Sequence, residues 1–363
     1  MGNGTTFRRA LAAVSATVIT GCTVHFLVPV LQNTEIGQAH ADAESLPDAP
    51  RGEIIYQAEP VMAEVPADGD FDEETWESEG SKAMWNSLPY RNSHGTDGGK
   101  IVRKQYQNLS GSMFFRLDGG GQVRNSTFWT NADLLAESRI EPTLDIDLAS
   151  GPAVLIYHTH TTESYMDSAA DSYPAGFNFR TTEPDKNMVS VGDAITAELK
   201  AAGIGVIHAG EIHDYPKWNG SYGRSAETIK AILAEYPSIR VVLDIHRDAI
   251  CSGNDVIAPV AEVEGRQSAQ IMIISGCDKG DMNMPDYRKN FHFACKLQQT
   301  AESMYPGFTR PILFDYRKYN QDLTPGSLLI EVGSQGNSLE EAQYAGTLTG
   351  RALAKTIKEI AEK

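Results

Sequence analysis

Apolar residues recur along this chain with two periods. Short runs rich in β-branched residues, at Val154 to Tyr157, Ile204 to His208, Arg240 to Ile245, Val256 to Val263, Gln270 to Ser275, Pro311 to Phe314 and Ser327 to Ile330, predict buried strands. Between them, spacings of three and four residues predict helices through Val191, Ala194, Ile195 and Leu199, through Ile229, Ile232 and Leu233, and from Arg288 to Met304. Gly203 is placed to end the first, Ser225 to start the second and Pro237 to stop it, while Ser338 with Glu341 three residues on forms a capping box for a final helix. Glu264-Gly265 predicts a hairpin turn between two strands. This alternation predicts an α/β domain over residues 151–363, with a mixed, mostly parallel sheet and helices on both faces.

Upstream the rhythm is weaker. Met113 to Phe115 and Thr127 to Trp129 flank Asp118-Gly119-Gly120-Gly121 and predict a hairpin-like element, and Leu134 to Ile140 predicts a helix. Residues 100–150 are therefore expected to form a small N-terminal subdomain or extension. From residue 32 to 99 the chain is rich in Ala, Pro, Asp, Glu and Gly and is expected to be a flexible spacer. Of its net charge of −17, the stretch Glu35 to Glu79 supplies 14 acidic residues against Arg51 alone, which leaves the rest only mildly acidic. No basic footprint for nucleic acid is present.

Ala10 to Leu31, preceded by Arg8 and Arg9, has the length of one membrane crossing, with residues 1–9 inside and the remainder exported. An uncleaved signal anchor is the preferred reading. Cleavage near Ala39-His40-Ala41 and lipidation of Cys22 are the alternatives. Export would permit a disulfide among Cys251, Cys277 and Cys295, whose pairing the spacing leaves open.

Three strands end in reactive side chains. Val154 to Tyr157 runs into His158, His160 and Glu163, Arg240 to Ile245 runs into His246, Arg247 and Asp248, and Ser327 to Ile330 runs into Glu331. In open α/β sheets, ligands and catalytic groups gather outside the carboxyl ends of strands. Two or three imidazoles with a carboxylate suit a catalytic Zn2+ site that keeps a position for water. On a regular strand His158 and His160 would share a face. Glu331 is expected to be the general base, because a carboxylate ending an apolar strand is costly unless it is paired or put to use. Arg247 is expected either to hold a substrate carboxylate or oxyanion, or to pair with Asp244 or Asp248. His208, His213 and Asp214 are candidates for the rim. The residues alone point to an exported, tethered, zinc-dependent hydrolase of a carbonyl bond.

The stretches Tyr157-His158-Thr159-His160-Thr161-Thr162-Glu163-Ser164-Tyr165, Asp244-Ile245-His246-Arg247-Asp248 and Ile330-Glu331-Val332-Gly333, with Asn219-Gly220-Ser221-Tyr222, resemble the stage II sporulation protein P family over residues from about 150 to 363. More distantly, Ile245-His246 and Glu331-Val332-Gly333 with Asn337 are similar to zinc-dependent N-acetylmuramoyl-L-alanine amidases. The resemblance implies an amidase-like fold and a membrane-anchored peptidoglycan hydrolase that cleaves the amide between N-acetylmuramic acid and L-alanine, with endopeptidase activity as an addition. It further implies action at the forespore septum during engulfment, with stage II sporulation proteins D and M as partners. The metal ligands it implies are His160, Glu163 and His246, with His158 close by and Glu183 as the rival carboxylate. Asp248 stands where the amidases carry an Asn. Two other readings compete: a non-catalytic metal- or wall-binding scaffold, and a zinc peptidase acting on the stem peptide.

Overall fold

β-branched runs at Val154–Tyr157 (β4) and Val241–Asp248 (β7) lie side by side and parallel, and the rest of the main sheet grows outward from them. The computed structural model describes residues 95–362, so the expected anchor and all but the end of the spacer lie outside the described residues. Across the eight-stranded sheet the spatial order is Phe114–Arg116 (β2), Gln122–Asn125 (β3), Ile312–Asp315 (β12), Ile271–Gly276 (β11), Gly326–Ser334 (β13), β7, β4 and Val206–His208 (β6). Five of its strand pairs are parallel; β2 with β3 and β11 with β13 are antiparallel. The sheet is mixed and mostly parallel, the class the alternation predicts.

Side chains alternate between the faces of the strands and meet helices on both. Val154, Ile156, Val241, Leu243, Ile245, Leu328, Ile330 and Val332 pack under three helices, Met188–Ala201 (α2), Tyr287–Met304 (α4) and Leu339–Ala361 (α5). Leu155, Tyr157 and Val242 face the other way and meet Ile229 of Ser221–Glu235 (α3). Each fully buried Leu, Ile or Val contributes about 2 kcal/mol. Beyond α3 the second face carries Ile274, Leu313 and Leu329, covered by Met272 and Tyr319. This unequal cover leaves a cleft over β11, β12 and β13.

Residues 99–125 add strands to both sheets. Gly99–Lys104 (β1) runs parallel to Asp255–Val263 (β9) in a second sheet with Arg266–Ala269 (β10), Ser172–Tyr173 (β5) and Cys251–Ser252 (β8), while β3 extends the main sheet beside β12. The turn joining β9 to β10 is Glu264-Gly265, both at positive φ. Of the hairpin read at 113–129, the return strand is β3 rather than Thr127 to Trp129. The Asn125 side chain accepts from the Thr127 amide and donates to the Trp129 carbonyl, which curls those residues into a turn before Asn131–Glu137 (α1). Ser225 does not start α3: that helix begins four residues earlier, after Gly220 at φ 78°. The Ser338–Glu341 capping box is formed on α5. Among the described residues no helix is long and apolar enough to cross a membrane. Cys251, Cys277 and Cys295 are free thiols.

Candidate active site

β4 stops at Tyr157, and the eight residues after it form a wholly buried loop. Its threonines are the braces. Thr159 donates from its amide (2.8 Å) and hydroxyl (2.7 Å) to Asp244 on β7, and Thr162 donates from its amide (3.1 Å) and hydroxyl (2.6 Å) to Asp214. Arg180 completes this corner, with Nη1 2.8 Å from Asp214 Oδ2 and Nη2 3.5 Å from Glu163 Oε1.

Because the strand ends before them, His158 and His160 do not share a face, which corrects the regular-strand expectation. His158 turns toward α2: its Nδ1 lies 2.9 Å from the Ile245 carbonyl, and its Nε2 lies 2.9 Å from Nε2 of His208, whose Nδ1 meets Asp193. Burial, then the neighbouring His208, pushes its pKa down to about 3, so it is a neutral imidazole. Gly192 on α2 admits this pair, since a Cβ there would sit 2.4 Å from His208 Nε2 and 2.8 Å from His158 Nε2.

His160 faces the other way. Its ring stacks on Trp218 at 4.9 Å and meets the rings of Tyr222 and His246 edge-on at 5.6 and 5.1 Å. His246 lies over Asp244, with Nε2 2.8 Å from Asp244 Oδ1 and Nδ1 3.7 Å from Glu163 Oε2. Burial alone would lower the His246 pKa, but Asp244, Glu163 and Glu331 outweigh it and raise it to about 10. Asp244 feels the converse: burial raises its pKa, while His246 and the Thr159 hydrogen bonds carry it below the ordinary value.

Glu331 comes from β13, whose in-register pairing with β7 sets it directly opposite His246. A bulge follows, with Gly333 at φ 63° and Asn337 folded against it. Asn337 accepts from the Ser334 amide and donates to the Pro259 carbonyl and Glu341, so it closes the turn. His246, Glu331, Tyr222 and Tyr319 line a cleft of about 190 Å3, floored by Met272, Ile274, Leu313 and Leu329.

The structure thus brings His160, Glu163, His246 and Glu331 to one place and sets His158 behind them. Arg247 is not aimed into open space: its Nε and Nη2 donate to the carbonyls of Ser164 and Phe179, and its amide donates to Glu163 Oε2. Neither expected carboxylate pairs with its guanidinium, because Asp248 takes Arg310 and Asp244 takes Thr159 and His246. Glu183 pairs with Lys186. His213 supports the loop from beneath, with Nδ1 2.8 Å from the His158 carbonyl. Trp218, Tyr222 and Arg180 escaped the sequence reading as site residues. For Trp218 and Tyr222 a usable signal existed in their place beside Asn219-Gly220-Ser221.

The donor chemistry, two imidazoles and a carboxylate, fits zinc. Asp244 beneath Nε2 leaves Nδ1 of His246 turned toward Glu163, the kind of outer support that ligating histidines use. Among the described residues, no three His, Cys, Asp or Glu side chains are already closed around a common point that could hold a metal ion.

A family model described as stage II sporulation protein P matches residues 106–357. The stage II sporulation protein P of Bacillus subtilis (strain 168) is 30% identical over 209 residues, 53% of this chain and 48% of that protein. The match therefore spans about half the length of this curated relative. Among solved structures, N-acetylmuramoyl-L-alanine amidase AmiC2 of Nostoc punctiforme is 13% identical with a TM-score of 0.35, covering 59% of this chain and 100% of its own. The amidase Ami1 from Mycobacterium smegmatis is 13% identical at 0.36, with the same coverages. An N-acetylmuramoyl-L-alanine amidase from Clostridium difficile 630 is 14% identical at 0.33, covering 59% of this chain and 99% of its own. These structural likenesses are remote.

Proposed function

The chain belongs to the stage II sporulation protein P family, and from that premise we propose that it is a zinc-dependent N-acetylmuramoyl-L-alanine amidase acting on peptidoglycan. The observation that carries this reading is the facing pair His246 and Glu331 in the cleft, with Glu163 and His160 against the same imidazole. A scaffold that merely bound wall would have no use for a half-exposed carboxylate set opposite a buried histidine.

His160, Glu163 and His246 would hold the ion, which would supply Lewis acidity to the scissile carbonyl and lower the pKa of the attacking water. Glu331 accepts the proton that this water loses and returns it to the leaving nitrogen, so that the acyl–nitrogen bond breaks and an acid and an amine leave. Asp244 fixes the tautomer and tilt of His246. Trp218 and Tyr222 hold His160 from two sides and keep water from its ring faces. Arg247 acts on the site through the loop, by clamping the Ser164 and Phe179 carbonyls and the Glu163 carboxylate.

The same reading places the domain outside the membrane, anchored by residues 10–31 and held off by the acidic spacer, at the forespore septum during engulfment, with stage II sporulation proteins D and M as partners. The test is digestion of purified peptidoglycan by the full chain, with mass analysis of the products. Stem peptides that begin with L-alanine, lost on chelation and regained with added zinc, are expected. Products cut only within the peptide, or release indifferent to chelator, would overturn the reading.

A further inference from the structure

Phe128 is 96% exposed, whereas the next most exposed large apolar side chain among the described residues, Ile140, reaches 49%. A lone apolar side chain at a surface needs no explanation if it sits on loose chain. Phe128 does not. Five successive backbone amides around it are tied: Asn125 to the Met113 carbonyl, Ser126 to the Phe314 carbonyl, Thr127 to Asn125 Oδ1, Phe128 to the Tyr316 hydroxyl and Trp129 to Thr127 Oγ1. Beneath it, Trp129 packs against the main core and carries the Arg288 guanidinium 4.8 Å from its ring centre. The loop is built to hold the phenyl ring outward, and Tyr316 lies beside it with centroids 6.1 Å apart.

This ring stands at the rim of the candidate active site. Arg124 and Ser126, just before it, line the cleft, as do Asp315 and Arg317 on either side of Tyr316. Two residues of chain span at most about 7 Å. We propose that Phe128 is a stacking platform for a sugar ring of the glycan strand, placed so that the strand lies along the β3–β12 edge while its stem enters the cleft. This rests on the amidase reading above. A pyranose ring presents one face of C–H groups, which an open aromatic face covers, and a rim of hydroxyls, which the neighbouring Ser126 and Arg124 on the cleft wall can meet. An amidase that works on a polymer needs purchase on the sugar beyond the bond it cuts. Because the loop is already ordered, little entropy is lost when the strand docks.

The test uses the full chain and two substrates, intact glycan strands bearing stem peptides and a soluble lactoyl-pentapeptide that keeps the scissile amide but carries no sugar ring. Phe128→Ala is expected to raise KM for the strands about fivefold, to leave the short substrate unchanged, and to be rescued by Phe128→Trp. A separate arm measures sedimentation with glycan strands stripped of their peptides, which needs no turnover: Phe128→Ala should bind about fivefold more weakly. Equal binding of the stripped strands by Phe128→Ala and the parent protein overturns the proposal, as does an equal KM change on both substrates. Should the parent release no stem peptides, the amidase reading fails while the sedimentation arm still reads the sugar contact. A ring that serves a protein partner instead would appear as unchanged glycan binding.

Discussion

Asp244→Asn removes one negative charge from beneath His246 while keeping the shape of the side chain. Asp244 is 1% exposed and takes three contacts of 2.7 to 2.8 Å, from the Thr159 amide, the Thr159 hydroxyl and His246 Nε2. With the Asn oxygen kept toward the Thr159 amide and His246, its nitrogen meets the Thr159 hydroxyl, which must then accept instead of donate, so the change is chiefly one of charge. Removing one partner of a buried charged pair costs about 3 kcal/mol or more. The pH dependence identifies the source. His246 has a folded pKa of about 10, above its unfolded value, so its stabilising contribution is complete below about pH 6.5 and disappears as pH rises through 10. Asp244 has a lowered folded pKa, so its share is complete above its unfolded value and is lost only as pH falls through the folded one. In chelator-treated protein, urea unfolding followed by circular dichroism should therefore give a penalty of about 3 kcal/mol near pH 6 that shrinks to a small residue near pH 9.5. A penalty equal at both pH values would refute the charged pair and reduce Asp244 to a brace for Thr159.

Gly192→Ala should gain helix propensity of about 1 kcal/mol yet lower the melting temperature, because its Cβ meets the two imidazole nitrogens at 2.4 and 2.8 Å and forces the His158–His208 contact apart; an unchanged or higher melting point would show that the pair is not held by this helix. His158 has a folded pKa of about 3, so below about pH 6.5 the unfolded chain binds a proton that the folded one refuses and stability falls as pH falls. His158→Asn should accordingly flatten the slope of unfolding free energy between about pH 6 and 4 by about 1.4 kcal/mol per pH unit, and an unchanged slope would contradict a neutral buried ring. Burial lifts the Cys277 thiol to about 12 and also pushes the Cys295 thiol well up, so iodoacetamide near pH 8 should label Cys251 well ahead of both, as peptide mass analysis would register.

Much of this site is legible in the sequence. The apolar runs that lead into His158, His246 and Glu331 are legible because burial on both faces leaves little room for polar residues, but the strands do not end where the runs do: β7 continues through His246 to Asp248 and β13 through Glu331 to Ser334. What the sequence does not carry is strand order. β7 and β13 are neighbours though some eighty residues apart, and that pairing alone sets Glu331 opposite His246. The choice between His158 and His160 was likewise hidden, since it depends on where β4 stops, and no alternation rule holds past Tyr157. Arg247 looked like an anion clamp because nothing local shows that the Ser164 and Phe179 carbonyls lie within its reach. Thr127 to Trp129 have the composition of a strand, yet one buried amide, Asn125, bends them into the turn that presents Phe128.

The convergence of His160, Glu163, His246 and Glu331 on one reaction is tested most directly by Glu331→Gln in the full chain, with folding checked by circular dichroism and release of N-terminal L-alanine from purified peptidoglycan as the readout. Loss of the proton carrier at unchanged fold should lower the rate at least about a thousandfold. A Glu331→Gln protein that releases L-alanine stems at the parent rate would contradict the account.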